Sequence, residues 1–194
     1  LRFKGKMWVI GGGNSTSSYN DVWSSSTGLT WENQNVTNGF SARQGHAGVV
    51  FKNKMWVFGG YFINPAGSDN FLNDVYSSED GATWTQESNS SSWSGRYGHA
   101  AVVYDDKIWV IGGNNSSGDS KEVWYSTDGI NWTQQTSSIV TWDAMKDFGA
   151  QVFDGKIWIL GGNPRTNKFY TFDGTTWSDG QDASWSVRSS LVGF

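Results

Sequence analysis

Short apolar runs, each opened by lysine and closed by two glycines, recur along the chain: GKMWVIGG from Gly5, NKMWVFGG from Asn53, DKIWVIGG from Asp106 and GKIWILGG from Gly155. A second, small and apolar segment precedes the later copies: RQGHAGVVF from Arg43, RYGHAAVVY from Arg96 and MKDFGAQVF from Met145. A third follows each run, as DVWSS from Asp21, DVYSS from Asp74, EVWYS from Glu122 and KFYTF from Lys168. A fourth ends in Trp31, Trp84, Trp132 and Trp177. Each segment has strand length and β-branched or aromatic content, and none shows a helical period.

The joints agree with that pattern. Lys4-Gly5, Lys52-Asn53, Asp105-Asp106 and Asp154-Gly155 separate the first two segments of each unit, where a two-residue hairpin turn favours Gly, Asn or Asp. Thr27-Gly28, Asp80-Gly81, Asp128-Gly129 and Asp173-Gly174 separate the last two. Each unit is therefore predicted to be a four-stranded antiparallel meander, strands A to D, repeating at about 45 to 53 residues.

The repeat sorts all thirteen tryptophans. Trp8, Trp56, Trp109 and Trp158 share a strand-B position, and Trp31, Trp84, Trp132 and Trp177 share a strand-D position. Trp23 and Trp124 share a strand-C position with Tyr76 and Tyr170. Large aromatics at such positions are expected to fill the space between packed sheets. Trp93, Trp142 and Trp185 align with Phe40 just before strand A, and these four are the aromatic candidates for ligand contact.

An apolar strand, a double glycine, an aromatic and a spaced tryptophan together resemble the kelch repeat, over essentially the whole chain. The resemblance implies an all-β fold, a β-propeller whose blades place strand A innermost. The expected blades are 41–88, 94–136 and 143–180, with the first built from 1–34 plus 186–194. Leu1-Arg2-Phe3 matches only the tail of a strand A, and Trp185-Ser-Val-Arg188 repeats Trp93-Ser-Gly-Arg96. Ser189 to Phe194 are thus expected to supply the first blade's missing strand, the family's shared-blade closure, which leaves no edge open. A piece of a larger ring, of six to eight blades with a structural role, is the alternative. The join is imperfect by about one residue, and a ring left open would self-associate. The Asp-Gly turns also resemble the Asp-box of sialidases, but lack one residue between Asp and Gly, and are read as turns.

Composition narrows the function. A net charge of −4 without runs of Lys or Arg offers no field for nucleic acid. No apolar run reaches the ~18 residues of a membrane span. The sequence shows no signal peptide and no initiator Met at Leu1, so a processed or excerpted chain is expected. Zero cysteines exclude disulfides and thiolate metal sites, and no metal or cofactor is expected. His46 and His99 align with Phe148 and Leu191, so a structural role is expected for both. That leaves no nucleophile–base pair, and the Gly11-Gly12-Gly13 run lacks the Lys-Ser/Thr of a phosphate loop. Copper-oxidase relatives of this broad fold rely on Cys, Tyr and His ligands that this chain cannot assemble.

Strand alternation puts the D–A and B–C connections on one face. B–C connections vary in length, and variable loops on a repeated scaffold are where recognition is expected. Tyr61, Asn114 and Arg165 lie on them. Arg43, Arg96 and Arg188 open strand A, with Lys146 beside Met145 in the fourth copy. In peptide-binding relatives that the sequence resembles, arginines at this position face the ligand. Their tolerance of Met145 suggests that folding does not need them. Pairing with Asp69, Asp119, Asp143 or Asp147 is the structural alternative. The candidate rim is therefore Arg43, Arg96, Lys146, Arg188, Phe40, Trp93, Trp142, Trp185, Tyr61, Asn114 and Arg165. The expected function is a non-enzymatic interaction module for a glycan or an acidic peptide or protein. A carbohydrate-modifying enzyme such as a sialic-acid mutarotase is the alternative, since that chemistry needs only a carboxylate and an arginine. Few Lys, no Cys and many Asn, Ser and Trp resemble secreted bacterial kelch proteins, so a secreted or cell-surface location is expected. Sequons stand at Asn14, Asn35, Asn89, Asn114, Asn115 and Asn131, frequent by chance in such a composition.

Overall fold

In the computed structural model, residues 1–36, 39–63, 70–136 and 141–190 are described. The chain divides into two units, Leu1–Tyr97 and Gly98–Phe194. Each is built from two antiparallel four-stranded sheets, and no helix occurs among the described residues.

In the first unit, β1 (Arg2–Phe3), β2 (Lys6–Gly13), β3 (Ser18–Ser25) and β4 (Glu32–Asn33) form one sheet in chain order. β5 (Ala47–Phe51), β6 (Lys54–Phe62), β7 (Asn70–Ser78) and β8 (Thr85–Ser88) form the next, and β9 (Arg96–Tyr97) ends the unit. The second unit contains β10 (Ala100–Tyr104), β11 (Lys107–Ile111), the small hairpin β12 (Asn114–Asn115) and β13 (Gly118–Asp119), β14 (Val123–Ser126) and β15 (Thr133–Gln134). β10, β11, β14 and β15 make its first sheet, in that order. β16 (Gly149–Phe153), β17 (Lys156–Leu160), β18 (Lys168–Phe172) and β19 (Gln181–Asp182) make its second.

The A–B turns confirm the expected chemistry. Lys4 and Gly5 have φ of 48° and 73°, Lys52 and Asn53 46° and 58°, Asp105 and Asp106 51° and 51°, and Asp154 and Gly155 48° and 67°. Two successive positive φ values are the signature of the turn whose twist matches a hairpin. The double glycines also carry positive φ, and a Cβ on Gly60 would lie 2.8 Å from the Gln44 carbonyl oxygen. That backbone approach leaves room for glycine only.

The strand-B tryptophans anchor each sheet identically. The indole N–H of Trp8, Trp56, Trp109 and Trp158 donates to the carbonyl of Phe3, Phe51, Tyr104 and Phe153, each at 3.0 Å. Strand alternation then gives every sheet a front, with this tryptophan, and a back. In the first unit, Phe3 and Trp8 on the front of sheet one pack with Met55, Val57 and Trp84 on the back of sheet two. Gly81 sits at φ 81° beneath the Trp8 ring, and a Cβ there would run into it. In the second unit, the front of sheet three packs on the back of sheet four, with Trp109 edge-on to Phe172 at 5.1 Å.

The fourth strands differ from expectation in their start. They follow the strand-D tryptophan instead of ending in it, and in sheet four β19 lies beyond residue 180, with Trp177 bridged to Phe172. The reason is local: Trp84 folds back to donate to Gly81 O at 3.0 Å, and Trp31 to Gly28 O at 3.3 Å. In these two sheets the tryptophan therefore closes the C–D turn.

In sheet one this turn is held by Ser25 Oγ, which accepts from Gly28 N at 2.8 Å, and in the other three sheets by carboxylates. Asp80 Oδ1 accepts from the amides of Ala82 and Thr83 at 2.9 and 2.8 Å, and Asp173 Oδ1 from Thr175 and Thr176 at 2.9 Å each. Asp128 does the same with Ile130 and Asn131. The Thr83 and Thr176 amides lead in holding Asp80 and Asp173 below the usual carboxylate range. At Asp128 burial pushes upward, but the Asn131 and Ile130 hydrogen bonds outweigh it. A carboxylate whose folded value is depressed stabilises the fold above the unfolded value of ~3.9, and that contribution is lost as pH falls through the folded value. The melting temperature should therefore drop on acidification below about pH 4. Replacing Asp80, Asp128 and Asp173 together by Asn keeps the accepting oxygen and should flatten the drop. An unchanged acid slope in the triple variant would show that these turns do not set it.

Candidate functional site

Strand A is entered by the same local device wherever Ser-x-Arg occurs. Nε of Arg43, Arg96 and Arg188 donates to the carbonyl of Ser41, Ser94 and Ser186 at 3.0–3.1 Å. Nη2 reaches the hydroxyl of the same serine, at 3.2, 3.1 and 3.4 Å. The guanidinium is thus oriented by residues two positions earlier, whatever lies around it.

What surrounds it differs. Arg43 is fully buried. Beyond Ser41 it donates to Gly59 O at 2.9 Å and to both oxygens of Asp74, at 2.6 and 2.9 Å. All five N–H groups of an arginine are thereby engaged. The rings of Phe40 and Tyr76 lie 5.4 Å from its Cζ, a distance at which a ring face attracts a cation. Arg96 is also fully buried, 5.9 Å from the Trp93 ring. Arg188 is exposed.

The pairing carboxylate of Arg43 is strand-C Asp74, which was not among the acids expected. Asp69 of that group lies outside the described residues. A signal did exist in the repeats: where Met145 replaces the arginine, Lys168 replaces the acid. Phe40, Trp93 and Trp142 are likewise buried to 1% exposure, with Phe40 edge-on to Trp84 at 5.1 Å and Trp142 edge-on to Trp177 at 6.0 Å. A side chain can stack on a ligand only through an open face, so these three act as packing residues in this structure. Trp185 is half-buried, and its enclosed indole nitrogen has no hydrogen-bond partner.

The remaining candidates fall into two places. In the second unit, Lys146 exchanges backbone hydrogen bonds with Asn163 at 2.8 and 3.2 Å, and Thr166 bridges Arg188. Lys146 Nζ lies 3.8 Å from Asp119, whose Oδ1 also accepts from Asn114 at 2.6 Å. Arg165 is exposed, in the short loop between Asn163 and Asn167. Asp147 completes the group, its carboxyl pushed up by burial and drawn back by Lys146. In the first unit, Tyr61 lies 4.7 Å from Tyr97, which stacks on Phe71 at 5.6 Å. All three rings are half-buried, so each keeps an open portion. Tyr97 and Phe71 were missed in the sequence because neither repeats in the other units.

His46 lines a cavity of about 160 Å³ with Leu1, Trp8, Ile10, Gly48 and Val57. Burial, with the Arg43 charge beside it, lowers its pKa to about 4, and Nδ1 is enclosed without a partner. It is therefore neutral at physiological pH. No cluster of three or more metal-ligating side chains occurs among the described residues.

A family model described as the KLHDC2/KLHL20/DRC7 Kelch-repeats domain matches residues 2–187. The chain belongs to the kelch-repeat family. Its all-β sheets, ordered A-B-C-D, are the blades of a kelch β-propeller fold. The chain is 28% identical over 130 residues to the leucine-zipper-like transcriptional regulator 1 homolog of Drosophila melanogaster, covering 64% of this chain and 13% of that protein. It is 27% identical over 139 residues to the human Rab9 effector protein with kelch motifs, covering 68% of this chain and 37% of that protein. The chain thus spans well under half the length of these relatives. Kelch-repeat domains as a family mediate protein interactions.

Proposed function

We propose that this kelch domain is a non-enzymatic module that holds an acidic segment of a partner protein against its B–C connections. The observation that carries the reading is the division between the two sets of cations. Arg43 spends every donor inside its own blade, whereas Arg165 stands exposed on a loop of free length. Recognition by charge then falls to exposed cations such as Arg165 and not to the buried Arg43. The human relative is, by its name, a Rab9 effector, which supports a protein as partner.

A labelled hexaglutamate peptide is a direct probe. Arg165→Glu should weaken its binding about tenfold, the loss of one charge-assisted contact, and the difference should shrink at high salt. Equal binding by both proteins at low salt would remove Arg165 from the site. The half-open cluster of Tyr61, Tyr97 and Phe71 favours a second reading, a glycan stacked on aromatic faces. Loss of oligosaccharide binding in Tyr61→Ala, with hexaglutamate binding intact, would support it.

A further inference from the structure

The backbone at Lys146 follows the repeat, but its side chain does not. Lys146 exchanges backbone hydrogen bonds with Asn163 as Gln44 does with Tyr61, at 2.9 Å each way in the second case. Gln44, Tyr97 and Ser189 hold this place in the other copies, and none of them is a cation. The scaffold therefore asks for no positive charge here, and the ammonium is peculiar to one copy. Asp119 is an addition of the same kind. It ends the hairpin β12–β13, opposite Asn114. In sheets one and two the long strands simply stay paired at this point, β2 with β3 as far as Gly13 opposite Ser18, and β6 with β7 as far as Phe62 opposite Asn70.

The two additions meet. Asp119 Oδ1 accepts from Asn114 Nδ2 at 2.6 Å and lies 3.8 Å from Lys146 Nζ, beyond hydrogen-bond reach. Asn114 therefore fixes the carboxylate, which acts on Lys146 by charge alone. The pair is only partly shielded from water, its side chains 19% and 28% exposed. Asp147 stands in the same field: burial pushes its carboxyl up, Lys146 draws it back and Asp119 pushes it up again. The Asn163 hydrogen bonds also tie Lys146 to the loop on which Arg165 stands exposed, two residues further on. Two cations thus flank one backbone bridge, Arg165 open and Lys146 already occupied by an internal acid.

We infer that Lys146 is the second cation of the acidic-segment site proposed above and that Asp119 masks it, standing where a ligand carboxylate would stand. The inference rests on that proposal. A carboxylate of the incoming segment can close to the about 2.7–2.9 Å of a charge-assisted hydrogen bond, whereas Asp119, tethered to Asn114, stops at 3.8 Å. Exchanging one acid for the other costs little, because partly exposed ion pairs are weak. The mask also selects. A lone acidic side chain is spent on Arg165, and only a segment with two or more neighbouring acidic groups gains Lys146 as well.

Labelled hexaglutamate at low salt tests this. Asp119→Asn keeps an oxygen toward Asn114 and should tighten binding about threefold to fivefold, the range of a partly exposed ion pair. Adding Lys146→Gln, the side chain found at Gln44, should remove that gain and leave binding weaker than in wild type. Asp105→Asn deletes the same charge from an A–B turn and should change binding little. Equal binding by wild type and Asp119→Asn, with matching melting temperatures, overturns the inference. So does a gain that survives Lys146→Gln, or one as large in Asp105→Asn. In each of those cases a loss on Arg165→Glu would leave the acidic-segment function standing. Should Asp119→Asn fold poorly, Lys146→Gln alone decides: it should weaken wild-type binding, and an unchanged affinity overturns the inference. If hexaglutamate binds neither wild type nor Asp119→Asn, both the mask and the acidic-segment function fall.

Discussion

Arg43→Met is expected to destabilise the domain by about 3–5 kcal/mol, because it strands a buried carboxylate. Asp74 is held by two guanidinium nitrogens, in a pair whose side chains are 0% and 13% exposed. Against a total of ~5–15 kcal/mol, that loss brings the domain near unfolding at room temperature. Adding Asp74→Leu should recover most of it, since a buried ion pair replaced on both sides by apolar groups is often neutral. Sheet four already lacks the pair: Met145 is buried where the arginine would be, and Lys168 is turned to Asp182 at 3.4 Å. Urea titrations of the two single variants and the double measure the effect. A single variant of wild-type stability would return Arg43 to the list of ligand-binding candidates. The sequence expectation, that a position tolerating methionine matters little for folding, treated the arginine alone. In the structure Asp74 determines the cost.

The second large effect contrasts two tryptophans at one repeat position. Trp109→Ala should cost about 3–5 kcal/mol, the range for truncating a large core aromatic. The ring is 3% exposed and packed against Phe172 and Tyr125, each at 5.1 Å. Trp158→Ala should cost less, about 1–2 kcal/mol, because this ring is only half-buried, beside Phe169 at 5.5 Å and Phe153 at 6.4 Å. Both indoles donate the same 3.0 Å bond to strand A, so the hydrogen bond cancels from the comparison. Equal losses in thermal unfolding would show that the bond, and not burial, gives this position its worth.

These two cases mark how much could be read from the chain. Strand order, the A–B turns and the strand-B tryptophan follow from local pattern. Alternation sets which side chains share a face, and a two-residue turn needs residues that accept positive φ. The Ser-x-Arg entrance is equally local, with the guanidinium bound two residues back. The candidate site was read less well. Arg165, Arg188 and Tyr61 stand open or half-open, but Arg43, Arg96, Phe40, Trp93 and Trp142 are interior. The expected closing strand ends in residues 191–194, outside the described residues.

The sequence by itself determined the repeating unit, its strands and its turns, since hydrogen-bond register and side-chain alternation act over a few residues. Only the tertiary structure decided which copies of a repeated position are buried. Met55 is covered and Met7 open although both follow a lysine and precede the same Trp-Val, and Arg43 is sealed while Arg188 is not. Burial is set by the sheet that packs alongside, whose residues lie far away in the chain, and a pattern repeated within each unit does not record whether that neighbour is there.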